Sequence, residues 1–286
     1  FFFKQKTAYE ISTRDWSSDV CSSDLIPVIY RAIDVVPELR RSAFRPLIAA
    51  AEKAVVRNAS MVIANNPILQ ERLTKMCPEQ KILSMPPGFK LDFVRPRAES
   101  RDLKTVVFMG TLFRFSGLKE FIESYGSNSK AMSLFNLKLI GDGEDMHRLR
   151  KVVRKLKIDK NVEFTGFVEF DNLPNALSSC DVALLPFLQN RVTSHALPAK
   201  AFQYIAAGLP VVSSPLAGLQ AVLPEGCGIT YASTHDELLA RVNELVKDER
   251  KRMQLVTEGQ SQVRHLQDWQ PFIDGLLRHA EELRVQ

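Results

Sequence analysis

Nowhere in the 286 residues does an apolar run approach the roughly 18 that a membrane-spanning helix needs. Cysteine is scarce and scattered: Cys21, Cys77, Cys180 and Cys227 form no CxxC pair and no metal-ligand spacing, which argues against a disulfide framework or a zinc module. The 5 histidines are equally dispersed, so no structural metal is expected. There is no internal repeat and no low-complexity tract, which excludes a solenoid. No basic stretch is interleaved with aromatics as in RNA-binding modules, so nucleic acid is a disfavoured partner. These absences lead us to expect a protein of a reducing, cytoplasmic compartment, free or peripheral on the inner face of the plasma membrane.

The charge balance is mildly basic, +5 overall. Arg31, Arg40, Arg41, Arg45, Lys53 and Arg57 cluster early. Such a face suits phosphates or anionic headgroups, or is simply a solvated helix surface. Residues 1–25, "FFFKQKTAYEISTRDWSSDVCSSDL", resemble the translation of a short-read sequencing adapter, and they lack the order of a signal peptide. They are expected to pack against nothing, with the natural coding sequence resuming mid-gene near Ile26.

From Lys104 onward the pattern alternates. Strand-like "KTVVFMG", "FNLKLIG", "NVEFTG", "DVALLPF" and "LPVVSS" are separated by helix-like segments. In "SGLKEFIESY", Leu118, Phe121, Ile122 and Tyr125 share one face. "DNLPNALSSC" reads as a short helix with Asp171 as its N-cap. Continuous apolar strands between helices predict a parallel sheet covered on both faces, an α/β, Rossmann-like doubly wound domain. Residues 26–95 read as a second α/β unit with too few strands to close its own sheet. Its buried strand "IPVIYRAIDVV", helix "AFRPLIAAAEKAVVRNA", strand "SMVIANN", helix "PILQERLTKM" and strand "KILSMPPGF" suggest the end of a larger domain. We therefore expect 26–95 as a domain remnant, 96–268 as the main domain, and 269–286 as a C-terminal helix. That helix carries an apolar stripe of Trp269, Phe272, Ile273, Leu276 and Leu277.

In doubly wound sheets ligands sit beyond the carboxyl ends of the strands. "LIGDGED" offers Gly141 and Gly143 there, but a dinucleotide fingerprint would want a third glycine where Met146 stands. NAD is thus disfavoured, and the two glycines are expected to allow a tight turn and close approach of a ligand. "SHALPAKAFQYIAAGLPVVSSP" asks for a different ligand. The backbone N–H groups of Ser194, His195 and Ala196 would lie at a helix start that attracts phosphate, Lys200 would add charge, and Gln203 one turn on could reach vicinal hydroxyls. A diphosphate joined to a ribose fits that order.

Four stretches together, "VVFMGTLFRFSGLKEFIES", "LKLIGDGEDMHRLR", "NVEFTGFVEFDNLPNALSSCDVALLPF" and "LPAKAFQYIAAGLPVVSS", resemble the donor-binding domain of GT-B glycosyltransferases, the large retaining family that uses nucleotide sugars. "IPVIYRAID", "ASMVIANN" and "ILSMPPGFKLDFVRP" resemble the end of that family's acceptor-binding domain, and "YRAIDVV" is similar to bacterial exopolysaccharide glucuronosyltransferases. The resemblance implies a GT-B fold truncated at its N-terminus, a nucleotide-sugar donor, a glycan or lipid-linked acceptor, peripheral membrane contact, and neither cofactor nor metal. It implies that the final helix crosses back to the acceptor domain and lays its stripe on "AFRPLIAAAEKAVV". It places Gln203 at the ribose, Phe167 and Val168 at the nucleobase, and Asp34 as the catalytic base. His195 and Gln203 stand where the family often has glutamates, and Thr111 and Ser116, after Gly110, where it tends to have Arg and Lys. Arg114, Arg191 and Lys200 are the cations left to hold a diphosphate. A nucleotide-sugar 2-epimerase shares the fold but would need a carboxylate-rich cleft. A nucleotide-binding fragment without turnover is the non-enzyme alternative.

Overall fold

The computed structural model describes residues 28–35, 44–86 and 104–264, with 270, 273–275, 277, 278 and 281 beyond them. Residues 1–25 lie outside the described residues. The first unit runs β1 (Ile29–Ala32), α1 (Arg45–Asn58), β2 (Met61–Ala64), α2 (Pro67–Met76) and β3 (Ile82–Ser84). Its three parallel strands are ordered β1-β2-β3. Val56, Val62, Leu69, Leu73 and Cys77 are among the residues of its small core. β2 is buried along its whole length, but β1 is half exposed at its start, with Ile29 at 40%. The expected buried strand is therefore an edge among the described residues, because β1 pairs with β2 alone.

The second unit runs β4 (Lys104–Met109), α3 (Leu118–Gly126), α4 (Ser129–Met132), β5 (Phe135–Ile140), α5 (Met146–Leu156), β6 (Val162–Gly166), α6 (Leu173–Ser178), β7 (Val182–Leu185), α7 (Ala199–Ala206), β8 (Val211–Ser213), α8 (Ala217–Gln220), β9 (Ile229–Tyr231), α9 (His235–Lys247) and α10 (Glu249–Arg264). All six strands are parallel, in the order β6-β5-β4-β7-β8-β9. Numbered within the unit this is 3-2-1-4-5-6, the doubly wound order, and the winding reverses between β4 and β7. Strands β7 and β8 are wholly buried, as helices on both faces require, whereas the edge strand β6 is mostly half-buried, with Glu163 exposed.

Local chemistry accounts for a few ends. α9 begins at a capping box in which Thr234 Oγ1 accepts from the Glu237 amide and Glu237 returns to the Thr234 amide. α10 docks through Arg252, buried, whose Nη1 donates to the Leu245 and Val246 carbonyls at the end of α9 (2.6 and 2.8 Å). Asp171 is not an N-cap. It lies inside a 3-10 turn, Phe170–Asn172, and α6 starts after Asn172 with no side-chain cap. β9 was not anticipated; its three residues are too few to show a period.

The expected seat of the C-terminal stripe on α1 does not appear among the described residues. Leu47 and Val55 of α1 are exposed, and so are Ile273 and Leu277. The tail instead passes the end of β3, where a Cβ added at Gly275 would lie 3.5 Å from Met85 Cε. Trp269, Phe272 and Leu276 are outside the described residues.

Candidate functional site

The crevice of a doubly wound sheet opens where the winding reverses, here beyond β4 and β7. α7 lies over that point. Its Ala201, Phe202, Tyr204, Ile205 and Ala206 are buried, and the Tyr204 hydroxyl accepts from the Met109 amide at the end of β4. This anchoring leaves Lys200 and Gln203 on the half-buried side of α7. Lys200 Nζ lies 4.4 Å from the Phe108 ring centroid and 5.6 Å from that of Phe187. A Cβ at Gly110 would sit 2.5 Å from the same nitrogen, so the ammonium is tucked under the loop that follows β4. Burial pushes its pKa down to about 8. Among the described residues it has no carboxylate and no hydrogen-bond acceptor. A cation held in aromatic, partly desolvated surroundings without a counter-ion is a strong attractor for an anion. Gln203 also has no side-chain partner among the described residues.

The loop before α7 is built otherwise than expected. The helix begins at Ala199, after Pro198. The Ser194 amide donates to Asn190 O (2.9 Å) and the Ala196 amide to Thr193 O (3.0 Å), so neither is left for a phosphate. Asn190 causes this: its Oδ1 accepts from the Val192 and Thr193 amides and rolls the chain into a turn. The carbonyls are used as well. Ser194 O accepts from the Gly218 amide, and His195 O accepts from Asn66 Nδ2 (2.9 Å). His195 Nδ1 lies 2.9 Å from Ser194 Oγ. His195 therefore ties this loop to the first unit, while Ser194 ties it to α8 of its own unit.

Asn66 is the site residue that sequence reasoning missed. It is fully buried, caps α2 by accepting from the Leu69 amide, and spends its amide group on the second unit. Asn before Pro at a helix start was the available signal. Its place also locates Asp34. Ala32 pairs with Ala64 across β1 and β2, so Asp34 and Asn66 both lie two residues past the same carboxyl edge. Asp34 is half-buried there, and desolvation raises its pKa.

The glycine loop has an internal explanation. Gly141 has φ +128°, and a Cβ there would lie 2.2 Å from Gly110 O. A Cβ at Gly143 would lie 2.6 Å from Leu112 O. A side chain at either glycine would meet the backbone of the neighbouring loop. Gly141→Ala is expected to lose about 1–3 kcal/mol from backbone strain alone, read as a lower urea midpoint. A loss below about 0.5 kcal/mol would show that the two loops do not touch in solution.

Beside this crevice lies a cleft of about 960 Å³ lined by Arg45 of α1 and by Arg114, Arg148 and Arg191, with Glu120 and Glu144 as its carboxylates. Phe113, Phe115 and Phe187 form a stacked row (4.9 and 6.3 Å between centroids) that leads from this cleft to Lys200. Arg148 is paired with the buried Asp145 (2.9 Å). Asp145 is nonetheless raised, chiefly by desolvation, with Arg148 and Arg114 opposing. Thr111 is exposed on the loop, whereas Ser116 is buried with an unpartnered hydroxyl. Phe167, 72% exposed, and Val168 follow β6 on the same edge of the sheet.

A family model, glycosyl transferases group 1, matches residues 92–262, more than half of the chain. The chain belongs to the group 1 glycosyl transferases. The chain is 28% identical over 184 residues to an uncharacterised glycosyltransferase of Methanocaldococcus jannaschii, covering 63% of the chain and 45% of the relative. It is 24% identical over 199 residues to the putative colanic acid biosynthesis glycosyltransferase WcaL of Escherichia coli, covering 68% and 48%. It thus spans about half the length of the curated relatives it matches. Among solved structures, Anabaena HepE in complex with UDP and glucose superimposes with a TM-score of 0.70 at 17% identity, over 90% of this chain and 70% of that one. That likeness is one of fold, and the fold is the expected GT-B arrangement.

Proposed function

We propose that this glycosyl transferase moves a sugar from a nucleotide-sugar donor to a glycan or lipid-linked acceptor in cell-surface or exopolysaccharide synthesis. The observation that carries the reading is Lys200, an ammonium with no counter-ion among the described residues, under the loop after β4. Group transfer from a nucleotide sugar releases a diphosphate whose negative charge grows as the glycosidic bond breaks. A preset cation in a partly dry site stabilises that charge without reorganisation. Arg114 and Arg191, in the adjoining cleft, supply further positive charge. Gln203, one turn along α7 from Lys200, is offered to the ribose hydroxyls, and Phe167 with Val168 to the base. Asp34, with its raised pKa, suits a base toward an acceptor hydroxyl. In this reading residues 26–95 belong to the acceptor side and 96–268 to the donor side. HepE was solved with UDP, which makes UDP the first ligand to try.

Thermal unfolding with UDP and with NAD tests the reading. UDP at about 100 times its dissociation constant is expected to stabilise the protein by about 2.7 kcal/mol, and NAD at the same concentration by much less. A larger shift with NAD would remove the donor assignment.

Gln203→Ala is expected to weaken UDP by about 0.5–1.5 kcal/mol, the worth of an uncharged hydrogen bond, with unchanged melting of the free protein. Gln203→Glu should bind at least as well as the parent. Titration calorimetry reads both, and equal UDP affinity in the parent and the alanine variant would return Gln203 to an ordinary surface residue.

A further inference from the structure

We propose that the outward face of α5 docks the protein on an anionic lipid surface. The stretch from Arg148 to Lys160, "RLRKVVRKLKIDK", carries seven cations and a single acid, Asp159. Leu149 and Val153 face the core, which turns Arg150, Lys151, Arg154 and Lys155 outward, with Lys157 and Lys160 just beyond the helix. Arg148 is occupied by Asp145 and Arg150 lies over the Phe164 ring (4.6 Å). The side chains of Lys151, Arg154, Lys155, Lys157 and Lys160 have no ion pair or hydrogen bond among the described residues.

The other long helices of this unit are built differently. α9 and α10 carry Asp236, Glu237, Glu244, Glu249 and Glu258 among their cations, and Arg241 and Lys251 both pair with Glu244. On α3, Lys119 pairs with Glu123. α5 alone among these helices leaves a block of cations uncompensated. The helix dipole accounts for Arg154 and Lys155 in the last turn, but not for Lys151 a turn earlier or for Lys160 past the end.

The shape of the patch favours lipid. It is an outer helix face rather than a pocket, so it offers nothing to enclose a small anion. Lysine and arginine on flexible stems reach a diffuse negative plane, each worth about 1 kcal/mol near such a surface. No exposed aromatic side chain alternates with these cations along α5, as stacking on single-stranded nucleic acid would need. The inference does not depend on the donor site, because vesicle binding is measured without nucleotide.

Co-sedimentation with phosphatidylcholine vesicles containing about 30% phosphatidylglycerol tests it, at low and at high salt. The parent should pellet with these vesicles at low salt, be released by salt, and ignore pure phosphatidylcholine. Lys151→Gln, Arg154→Gln and Lys155→Gln together should lower the partition coefficient about 100-fold, three charges at about 1 kcal/mol each. Their UDP-induced thermal shift should stay that of the parent. A control losing three cations elsewhere, Lys247→Gln, Arg250→Gln and Lys251→Gln, should still pellet. The proposal fails if the α5 variant pellets like the parent, or if the control loses as much. It also fails if the parent ignores the anionic vesicles but binds single-stranded RNA through the same residues.

Discussion

Lys200→Met should reduce the affinity for UDP between about 10- and 100-fold while leaving the free protein at least as stable as the parent. The methionine keeps the packing of the stem against Phe108 and Phe187. It removes a charge that is partly desolvated and has no counter-ion among the described residues, so the free protein gives up little. The complex loses a charge-assisted hydrogen bond, worth about 1.5–3 kcal/mol. The same residue sets a pH signature. Its folded pKa of about 8 is below the ordinary 10.5, so between these values the unfolded chain binds more protons than the folded one. Stability from this group therefore rises with pH across the window from about 8 to 10.5, and the destabilisation is fully present below about 8. The parent should gain on Lys200→Met as pH climbs through that range, and UDP affinity should fall as the ammonium is neutralised. Paired urea titrations at several pH values read the first effect and calorimetry the second. Parallel stability curves together with equal UDP affinity would show that Lys200 is a solvated surface lysine.

Arg72→Leu should have the largest effect on folding, and it should fall on the small sheet. Arg72 of α2 grips Glu52 of α1 with both guanidinium nitrogens, Nη1 to Oε1 at 3.1 Å and Nη2 to Oε2 at 2.7 Å. Glu52 is buried. Removing one partner of a buried pair strands the other charge, at a cost of about 3–5 kcal/mol. A three-stranded unit with a small core has little to set against that, so α1 should detach first. Hydrogen exchange should then accelerate at Val62 to Ala64 while Val106 to Met109 in β4 keep their protection. Glu52→Leu combined with Arg72→Leu should recover most of the loss, since an apolar pair of similar size is often neutral or better. Uniform acceleration in both sheets would mean that the two units unfold as one. No acceleration would mean that the pair is not buried in solution.

Alternation of apolar runs with amphipathic helices was enough to establish the doubly wound unit from Lys104 onward, because buried parallel strands and one-sided helices leave periods that need no tertiary context. The motif order around "LPAKAFQYIAAGLPVV" likewise placed Lys200 and Gln203 together, since residues three apart on a helix share a face whatever surrounds them. Three matters were decided by tertiary structure alone. Gly141 and Gly143 answer to the backbone of residues 110–112, which follows another strand, so local spacing could not show what their Cβ positions would meet. The amides of Ser194 and Ala196 were consumed by a turn that Asn190 nucleates, and the His195 carbonyl by Asn66, 129 residues away in sequence. The absence of a partner for Lys200 is likewise a fact of packing. Local sequence names a charge but cannot say whether the fold brings another one to meet it, and here none of the described residues does.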